Sequence, residues 1–232
     1  MCTRRWFESA NNAIEGVLHA ARTQRHVRYH FYTAVLVILL STVLGLSRFE
    51  FIAISIVVIL VLAAELLNTA IEAAIDLFSL DFHPKARTAK DVAAGAVLIT
   101  AVGAATVGYM ILWPALRKAL DTGIQLQRHG KPEITLVSLL VVLILVVLIK
   151  AWSGRGHPLR GGLPSGHAAI SSAIWLAVTY ITDAVVISVL TGILALGISV
   201  SRVTLKVHTV SEVILGTVLG IGVTFLLFFV FT

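Results

Sequence analysis

The feature that most constrains the fold is a run of apolar residues, 51–64, that contains no charge and leads directly into polar residues at helical spacing. On a helix at roughly 100° per residue, these polar side chains share one stripe. They are Glu65, Asn68, Thr69, Glu72 and Asp76. An ionisable side chain at the centre of a membrane helix costs roughly 2.5–3.5 kcal/mol on insertion scales, so it needs a partner or a function. A helix that merely leaves the bilayer explains Asp76 but not a stripe that begins at Glu65, and we therefore expect a functional site here.

The composition is that of an integral membrane protein, because 58% of the residues are hydrophobic and only 13% are charged. The net charge of +6 then reports orientation and contact with anionic lipid rather than nucleic-acid binding. The single cysteine, Cys2, excludes an internal disulfide and a cysteine-based metal site. No apolar core with a small-residue cleavage site follows the N-terminal arginines, so we expect the first span to remain in the protein.

The hydropathy pattern predicts an all-α integral membrane protein with an N-terminal amphipathic surface helix, at about 6–22, and about seven transmembrane helices. The predicted spans are 31–46, 51–76, 92–113, 134–149, 168–181, 184–200 and 213–232. Pro114 is expected to end the third span. The polar residues 115–133 are the expected connector, which divides the chain into domains at 1–114 and 134–232.

The loops between the spans predict an orientation in the membrane. With the N-terminus in the cytoplasm, the loops at 81–91, 150–167 and 201–212 all fall on the cytoplasmic face. The connector at 115–133 falls outside, although its four Lys and Arg residues disfavour that side. One miscounted span would move the loops of the second half to the opposite face.

The carboxylate stripe and the Lys90-Asp91 pair at the start of the next span are suited to binding a nucleotide phosphate. Carboxylates can hold Mg²⁺, which bridges phosphate oxygens, and a lysine adds a positive charge. One carboxylate can also accept a proton from an alcohol. The chain has no Gly-rich phosphate loop of the usual kind, so spacing alone leaves a kinase and a proton- or cation-coupled transporter equally open.

Three segments of the first half resemble the prokaryotic diacylglycerol/undecaprenol kinase family. They are 65–72, His83-Pro84 and 89–98, and the resemblance extends over about 6–114. It implies a three-span lipid kinase of the bacterial inner membrane that uses MgATP and is usually a homotrimer. By the same resemblance Glu65 would be the general base and Asn68 would lie in the catalytic centre, with Glu72 binding metal and Lys90 and Asp91 contacting nucleotide.

One position departs from the kinase pattern. The family places a second metal-binding glutamate on the surface helix, just before an apolar-Arg pair. Aligned on Val27-Arg28, that position is Gln24 in this chain. An amide can coordinate Mg²⁺ but brings no charge, so we expect weaker metal binding by the Glu72 and Gln24 pair.

The second half carries three short basic or histidine-containing motifs at the ends of successive predicted spans. These are Lys150 with His157-Pro158, the Leu-Pro-Ser-Gly-His sequence at 163–167, and Ser201-Arg202 followed by His208 and Glu212. A histidine can attack phosphorus to form a phosphohistidine, while a carboxylate at i+4 holds its other ring nitrogen. A second histidine can protonate the leaving oxygen, and cations with N–H groups at a helix start neutralise the phosphate. The motifs therefore predict a metal-independent phosphoryl-transfer site.

In order and spacing these motifs resemble the type 2 phosphatidic acid phosphatase superfamily over about 134–232. The resemblance implies that His208 is the nucleophile, Glu212 its orienting carboxylate and His167 the general acid. The residues that would bind phosphate are Lys150, Ser165, Gly166, Arg202 and His157. The family's first motif ends in Arg-Pro rather than His-Pro, so Arg155 or Arg160 would have to replace the arginine. Its orienting residue is usually Asp, and it usually has six spans where four are evident here.

The two resemblances together predict a bifunctional membrane enzyme that supplies a polyprenyl phosphate carrier. Phosphorylation of undecaprenol by ATP and removal of one phosphate from undecaprenyl diphosphate give the same product, so the two reactions do not cancel. A second hypothesis is a phosphatase alone, whose kinase-like half is a scaffold weakened by Gln24. A third is a non-catalytic lipid-binding or transport protein that uses the intramembrane carboxylates.

Overall fold

The computed structural model describes residues 2–78, 83–123, 129–153 and 161–232, except for the side chains of residues 2–8 and 10. Within these ranges the chain forms helices and contains no strand, as the all-α prediction required. The helices are α1 (Cys2–Thr23), α2 (Arg25–Val43), α3 (Arg48–Phe78), α4 (Pro84–Thr122), α5 (Lys131–Ser153), α6 (Gly166–Thr182), α7 (Val185–Thr204) and α8 (Val210–Phe231).

Six of the described helices are long and apolar enough to cross a membrane, namely α2, α3, α4, α5, α7 and α8. The remaining predicted span corresponds to α6, which has 17 residues and is shorter than these. Helix α1 precedes the spans and corresponds to the predicted amphipathic surface helix. The protein is therefore a multi-pass, all-α membrane protein.

Helix α4 is longer at both ends than the predicted third span. It begins at Pro84, where a proline is tolerated because the first N–H groups of a helix have no partner within the helix. Much of the predicted loop at 81–91 is therefore helical. It also continues through Pro114, where we expected the helix to end. A proline removes one backbone hydrogen bond, and neighbouring groups in a membrane helix can compensate for it. The helix ends instead at Thr122, and the residue that follows, Gly123, has a φ of 78°, a conformation that favours glycine. Part of the predicted connector is therefore helical.

The described chain divides into two compact units. One comprises Thr23–Leu126 and contains α2, α3 and α4. The other comprises Met1–Arg22 together with Gln127–Thr232, and so contains α1 as well as α5 to α8. Helix α1 thus packs with the second half of the chain, whereas the sequence analysis grouped 6–22 with the first half.

The unit at Thr23–Leu126 is built on the pairing of α3 with α4, and α2 packs against α3. A cavity of about 520 Å³ lies among the three helices. Its lining is almost entirely apolar, with His30 of α2 among the few polar groups. The large apolar side chains on the outer faces of α3 and α4 are exposed, as expected for helices that face lipid or another subunit.

The core of the second unit lies where α6 packs against α8 and α5. Buried Val142 and Val146 meet Ala169 and Ala173 there. The small residues let the backbones of α6 and α8 approach closely. At Gly220 of α8 there is no room for a side chain, since a Cβ would lie 2.0 Å from the carbonyl oxygen of Ala169 on α6. This close contact fixes the starts of α6 and α8 side by side, which places the polar residues described next.

Candidate functional site

Four helix ends meet at one end of the second unit and carry the predicted phosphate-site residues. Lys150 lies in the last turn of α5, and Arg202 in the last turn of α7. Ser165 is the N-cap of α6, with Gly166 and His167 directly after it. His208 precedes the N-cap of α8, and Glu212 lies in the first turn of that helix.

The helix directions make this end of the unit suited to an anion. Two helix N-termini, those of α6 and α8, present partial positive charge and unpaired N–H groups. The two C-termini present partial negative charge, but each carries a cation in its last turn, Lys150 in α5 and Arg202 in α7. The site therefore combines two helix dipoles with two side-chain charges of the same sign.

The spacing between Arg202 and His208 follows from the way α7 ends. Val207 and His208 both donate their N–H groups to the carbonyl of Arg202, at 3.0 and 3.1 Å, and Lys206 donates to the carbonyl of Val203 at 2.9 Å. Lys206 has a φ of 53°, so the chain reverses in a Schellman-type cap. This cap returns the backbone over the last turn of α7 and brings His208 back beside Arg202.

His208 and Glu212 form the central pair of the site. The Nδ1 atom of His208 lies 2.7 Å from Oε2 of Glu212, and the histidine side chain is almost fully buried. A carboxylate on Nδ1 holds the proton at that nitrogen and leaves Nε2 with a free lone pair. The pair thus has the geometry of an oriented nitrogen nucleophile.

Glu212 is held by backbone groups as well as by His208. It forms a capping box with Thr209, whose N–H donates to Oε2 at 3.2 Å. The N–H of Gly162 donates to the other carboxylate oxygen at 3.0 Å, and Ser165 donates its N–H to the Glu212 carbonyl at 2.9 Å. Gly162 has a φ of 88°, a conformation that favours glycine. Glu212 therefore joins the loop before α6 to the start of α8.

Two polar atoms of the site are buried without a hydrogen-bond partner in the described part of the chain. These are Oγ of Ser165, on a residue that is fully buried, and Nε of Arg202. Lys150 is only 3% exposed, and its Nζ donates to the carbonyl of Gly161 at 3.4 Å. Buried donors without partners are costly, so a site that keeps them is suited to a ligand with acceptor oxygens.

His167 is exposed and lies within electrostatic range of Lys150, Arg202 and His208. Burial is the main cause that lowers the pKa of His208 below its ordinary value of 6.5. The charges of Lys150 and Arg202 lower this pKa further, while the hydrogen bond that His208 donates to Glu212 and the charge of that carboxylate raise it. His208 is therefore neutral at pH 7, as a nitrogen nucleophile must be.

The structure thus brings together every described residue of the predicted phosphate site. These are Lys150, Ser165, Gly166, His167, Arg202, His208 and Glu212. His157, and with it Arg155 and Arg160, lies outside the described residues. The sequence analysis missed the capping box at Thr209, although its Thr-Val-Ser-Glu pattern is the usual signature of one.

In the other unit, Glu65 is buried in the middle of α3, with 6% of its surface exposed. Its Oε1 lies 3.0 Å from Nε2 of His30 on α2. Thr69 donates its hydroxyl to the Glu65 carbonyl. The sequence analysis did not select His30, although it is a polar residue at the start of the first predicted span. The pair meets the requirement that a carboxylate inside a membrane helix has a partner.

Asn68 and Glu72 form a second polar pair one turn further along α3. The Nδ2 group of Asn68 donates to Oε1 of Glu72 at 3.1 Å, which leaves the buried Oδ1 of Asn68 without a partner. Two neighbouring oxygen donors suit Mg²⁺, whose other ligands can be phosphate oxygens and water. No group of three His, Cys, Asp or Glu side chains in the described ranges could hold a metal ion. Gln24, the other predicted metal ligand, is the N-cap residue of α2 and makes no side-chain cap bond.

The predicted nucleotide-binding residues lie on the first turns of α4. Lys90 pairs with Asp76, the last carboxylate of the stripe, and so joins α4 to α3. Asp91 lies 3.8 Å from Arg87, and both side chains are well exposed. Lys90 and Asp91 are therefore at an open surface close to the end of the stripe.

The structure is that of a multi-pass membrane protein with two polar clusters, an acidic one on α3 and a basic, histidine-containing one at the ends of α5 to α8. The family model of prokaryotic diacylglycerol kinase matches residues 11–112. The model of the PAP2 superfamily matches residues 148–232. The chain belongs to the prokaryotic diacylglycerol kinase family, and its last part is similar to the PAP2 superfamily.

Three relatives resemble the kinase-like part. Undecaprenol kinase of Bacillus subtilis is 38% identical over 112 residues, which is 48% of this chain and 91% of the relative. Diacylglycerol kinase of a Synechocystis strain is 42% identical over 105 residues, or 45% of this chain and 60% of the relative. Diacylglycerol kinase of Pseudomonas aeruginosa is 33% identical over 96 residues, or 41% of this chain and 78% of the relative. No solved structure matches the chain.

Proposed function

We propose that this protein is a bifunctional lipid enzyme that works by two routes, which give the same polyprenyl phosphate when the lipids are undecaprenol and its diphosphate. One route transfers phosphate from ATP to a lipid alcohol, undecaprenol or diacylglycerol. The other removes a phosphate from a lipid phosphate or diphosphate, with undecaprenyl diphosphate as the favoured substrate. The observation that carries the proposal is the buried His208–Glu212 pair beside the unpartnered Ser165 hydroxyl and Arg202 Nε.

For the phosphatase, His208 attacks the terminal phosphorus through Nε2. A nitrogen–phosphorus bond forms, the bond from phosphorus to the bridging oxygen breaks, and His167 gives its proton to that oxygen. Lys150, Arg202 and the N–H groups at the start of α6 neutralise the charge on the other oxygens. Water then attacks the phosphohistidine and loses its proton to His167, which releases inorganic phosphate and restores both histidines.

For the kinase, Glu65 takes the proton from the lipid hydroxyl as the hydroxyl oxygen attacks the terminal phosphorus of ATP. The bond from that phosphorus to the bridging oxygen breaks, and ADP leaves with the bridging oxygen. His30 holds the Glu65 carboxylate in one orientation through the 3.0 Å contact. Asn68 and Glu72 would hold Mg²⁺, which neutralises phosphate charge when bound. Lys90 and Asp91 would contact the nucleotide from the open surface of α4.

Both routes converge on one product, which explains why one chain would carry both modules. Undecaprenol gains one phosphate and undecaprenyl diphosphate loses one, so neither reaction undoes the other. The product would serve as a lipid carrier for envelope polysaccharide synthesis in the bacterial inner membrane. We further propose that the kinase-like part forms a homotrimer, since the outer faces of α3 and α4 are apolar and exposed.

The decisive experiment gives purified protein each lipid separately and measures formation of the monophosphate. His208→Ala should lower diphosphate hydrolysis by roughly 10⁴-fold or more, because the nucleophile is lost. ATP-dependent phosphorylation of undecaprenol by the same preparation should stay at the wild-type rate, which shows that the protein is folded. Undiminished hydrolysis by His208→Ala would contradict the phosphatase assignment.

A second candidate function is a phosphatase with a weak kinase-like part. It is favoured by Gln24, which brings no charge to the predicted metal site. Adding the missing carboxylate with Gln24→Glu should then raise ATP-dependent lipid phosphorylation and lower the Mg²⁺ concentration needed for half-maximal rate. No phosphorylation by either form would leave the phosphatase as the sole activity. If neither phosphorylation nor vanadate-sensitive hydrolysis is found, the protein is a non-catalytic lipid-binding or transport protein.

A further inference from the structure

Arg22, at the end of α1, contacts the helix that carries Lys150. Its Nε and Nη2 groups both donate to the backbone carbonyl of Lys150, each at 3.4 Å. The guanidinium also lies within electrostatic range of the Lys150 ammonium. Both residues belong to the unit of α1 and α5 to α8.

The position of Arg22 is set by the packing of α1. In the last part of that helix, Leu18 is 2% exposed and Ala21 is fully buried. Arg22 directly follows this buried turn and is itself only partly exposed. A long side chain fixed in this way loses less conformational entropy when it forms its hydrogen bonds.

The contact matters because of where Lys150 lies. The last carbonyl groups of a helix have no partner within the helix, and they carry partial negative charge. Arg22 provides donors and positive charge to one of them, the Lys150 carbonyl, which also accepts the hydroxyl of Ser153 at 3.3 Å. Lys150 is itself buried, so the end of α5 must be held in place for its ammonium to point at the phosphate site.

We infer that Arg22 is a positioning residue of the phosphatase site, supplied by the segment that matches the kinase family. It fixes the C-terminal end of α5, and thereby Lys150, and it adds a positive charge near the Lys150 ammonium. Residue 22 lies within the 11–112 match to the kinase family, yet it contacts the PAP2-like part. The phosphatase-like part therefore depends on α1 and is not an independent module. This inference rests on the proposed phosphatase activity.

The test compares three variants of the full-length protein in detergent. They are Arg22→Gln, Arg22→Lys and the control Arg25→Gln, which changes an exposed arginine three residues away at the start of α2. The measurements are KM and kcat for lipid diphosphate hydrolysis, inhibition by vanadate as a phosphate mimic, and thermal unfolding by circular dichroism.

Arg22→Gln should lower kcat/KM roughly 10-fold, because a displaced Lys150 binds phosphate less well. The loss should be mainly in KM and should be accompanied by weaker vanadate inhibition. Arg22→Lys, which keeps the charge and one donor, should recover part of the loss, and Arg25→Gln should match wild type.

Two outcomes would overturn the inference. The first is wild-type kcat/KM and vanadate inhibition in Arg22→Gln. The second is a loss that Arg22→Lys does not reverse and that tracks a lower unfolding temperature, since this would assign Arg22 a purely structural role. Failure of the proposed function gives a different result, because hydrolysis would then be absent from the wild-type protein or would survive His208→Ala.

Discussion

The two parts of this protein place their polar residues in opposite ways. In the kinase-like part, carboxylates and an amide lie along one face of a single helix, α3, inside an apolar span. In the PAP2-like part, cations, histidines and N–H groups lie at four helix ends and no single helix carries more than a few of them. The acidic site is formed by residues of one helix, whereas the basic site is formed only where several helices meet.

The two sites also differ in how many of their groups are already paired. In the kinase-like unit, Glu65 contacts His30, and Lys90 pairs with Asp76. Its unpartnered buried atom in the described chain is Oδ1 of Asn68. The PAP2-like site leaves unpartnered donors, Ser165 Oγ and Arg202 Nε, beside an oriented histidine. The unpartnered atom of the acidic site is an acceptor oxygen, which suits a cation, whereas those of the basic site include donors, which suit an anion.

The largest expected effect is the loss of phosphorylation while hydrolysis is unchanged. Glu65→Gln should lower ATP-dependent lipid phosphorylation by roughly 10²- to 10⁴-fold, because an amide cannot accept the proton of the lipid hydroxyl. Hydrolysis of the lipid diphosphate, measured on the same preparation, should not change. A parallel loss of both activities would mean that the two sites are not chemically separate.

The next effect tests whether the basic site depends on close helix packing. Gly220→Ala should destabilise the protein by about 1–3 kcal/mol and reduce hydrolysis, because the added Cβ collides with the Ala169 carbonyl. The matched control is Gly222→Ala on the same helix, where a Cβ would have no neighbour within 4 Å. Thermal unfolding and phosphate release measure both variants. Equal behaviour of the two would show that α6 and α8 do not need this close approach.

A smaller effect concerns the partner of the acidic site. His30→Ala removes the group that orients Glu65, so phosphorylation should fall roughly 10-fold while the basic site is unaffected. His26→Ala, which changes an exposed histidine one turn earlier on α2, serves as the control. Initial rates at saturating ATP measure the effect. An unchanged rate in His30→Ala would show that Glu65 keeps its orientation without this contact.

The smallest effect is on the pH dependence of hydrolysis. Because burial, with Lys150 and Arg202, lowers the pKa of His208, the neutral nucleophile persists below pH 6.5 and activity should fall only as the pH drops through that lowered pKa. Arg202→Gln removes one of the positive charges that lower this pKa, so it should move the acid limb of kcat/KM to higher pH. A downward movement would contradict the electrostatic role given to Arg202.

Much of the fold could be predicted because apolar runs and their polar interruptions carry a strong signal. Helix ends were less predictable at residues that are compatible both with the end and with the interior of a helix. Pro84 begins a helix and Pro114 lies within the same helix, although the sequence analysis treated Pro114 as an end. Lys206 adopts a positive φ in a helix cap where glycine would have been the expected signal, so the return of the chain to His208 could not be anticipated.

The residue types and spacings by themselves determined the all-helical membrane architecture and the two groups of chemically suited side chains. They did so because helical periodicity and the cost of charge in a bilayer act locally along the chain. The tertiary structure decided which groups meet: His30 with Glu65, Gly162 with Glu212, and Arg22 with the end of α5. These residues are separated by 35, 50 and 128 positions, and contacts across such distances depend on how helices pack rather than on any local pattern.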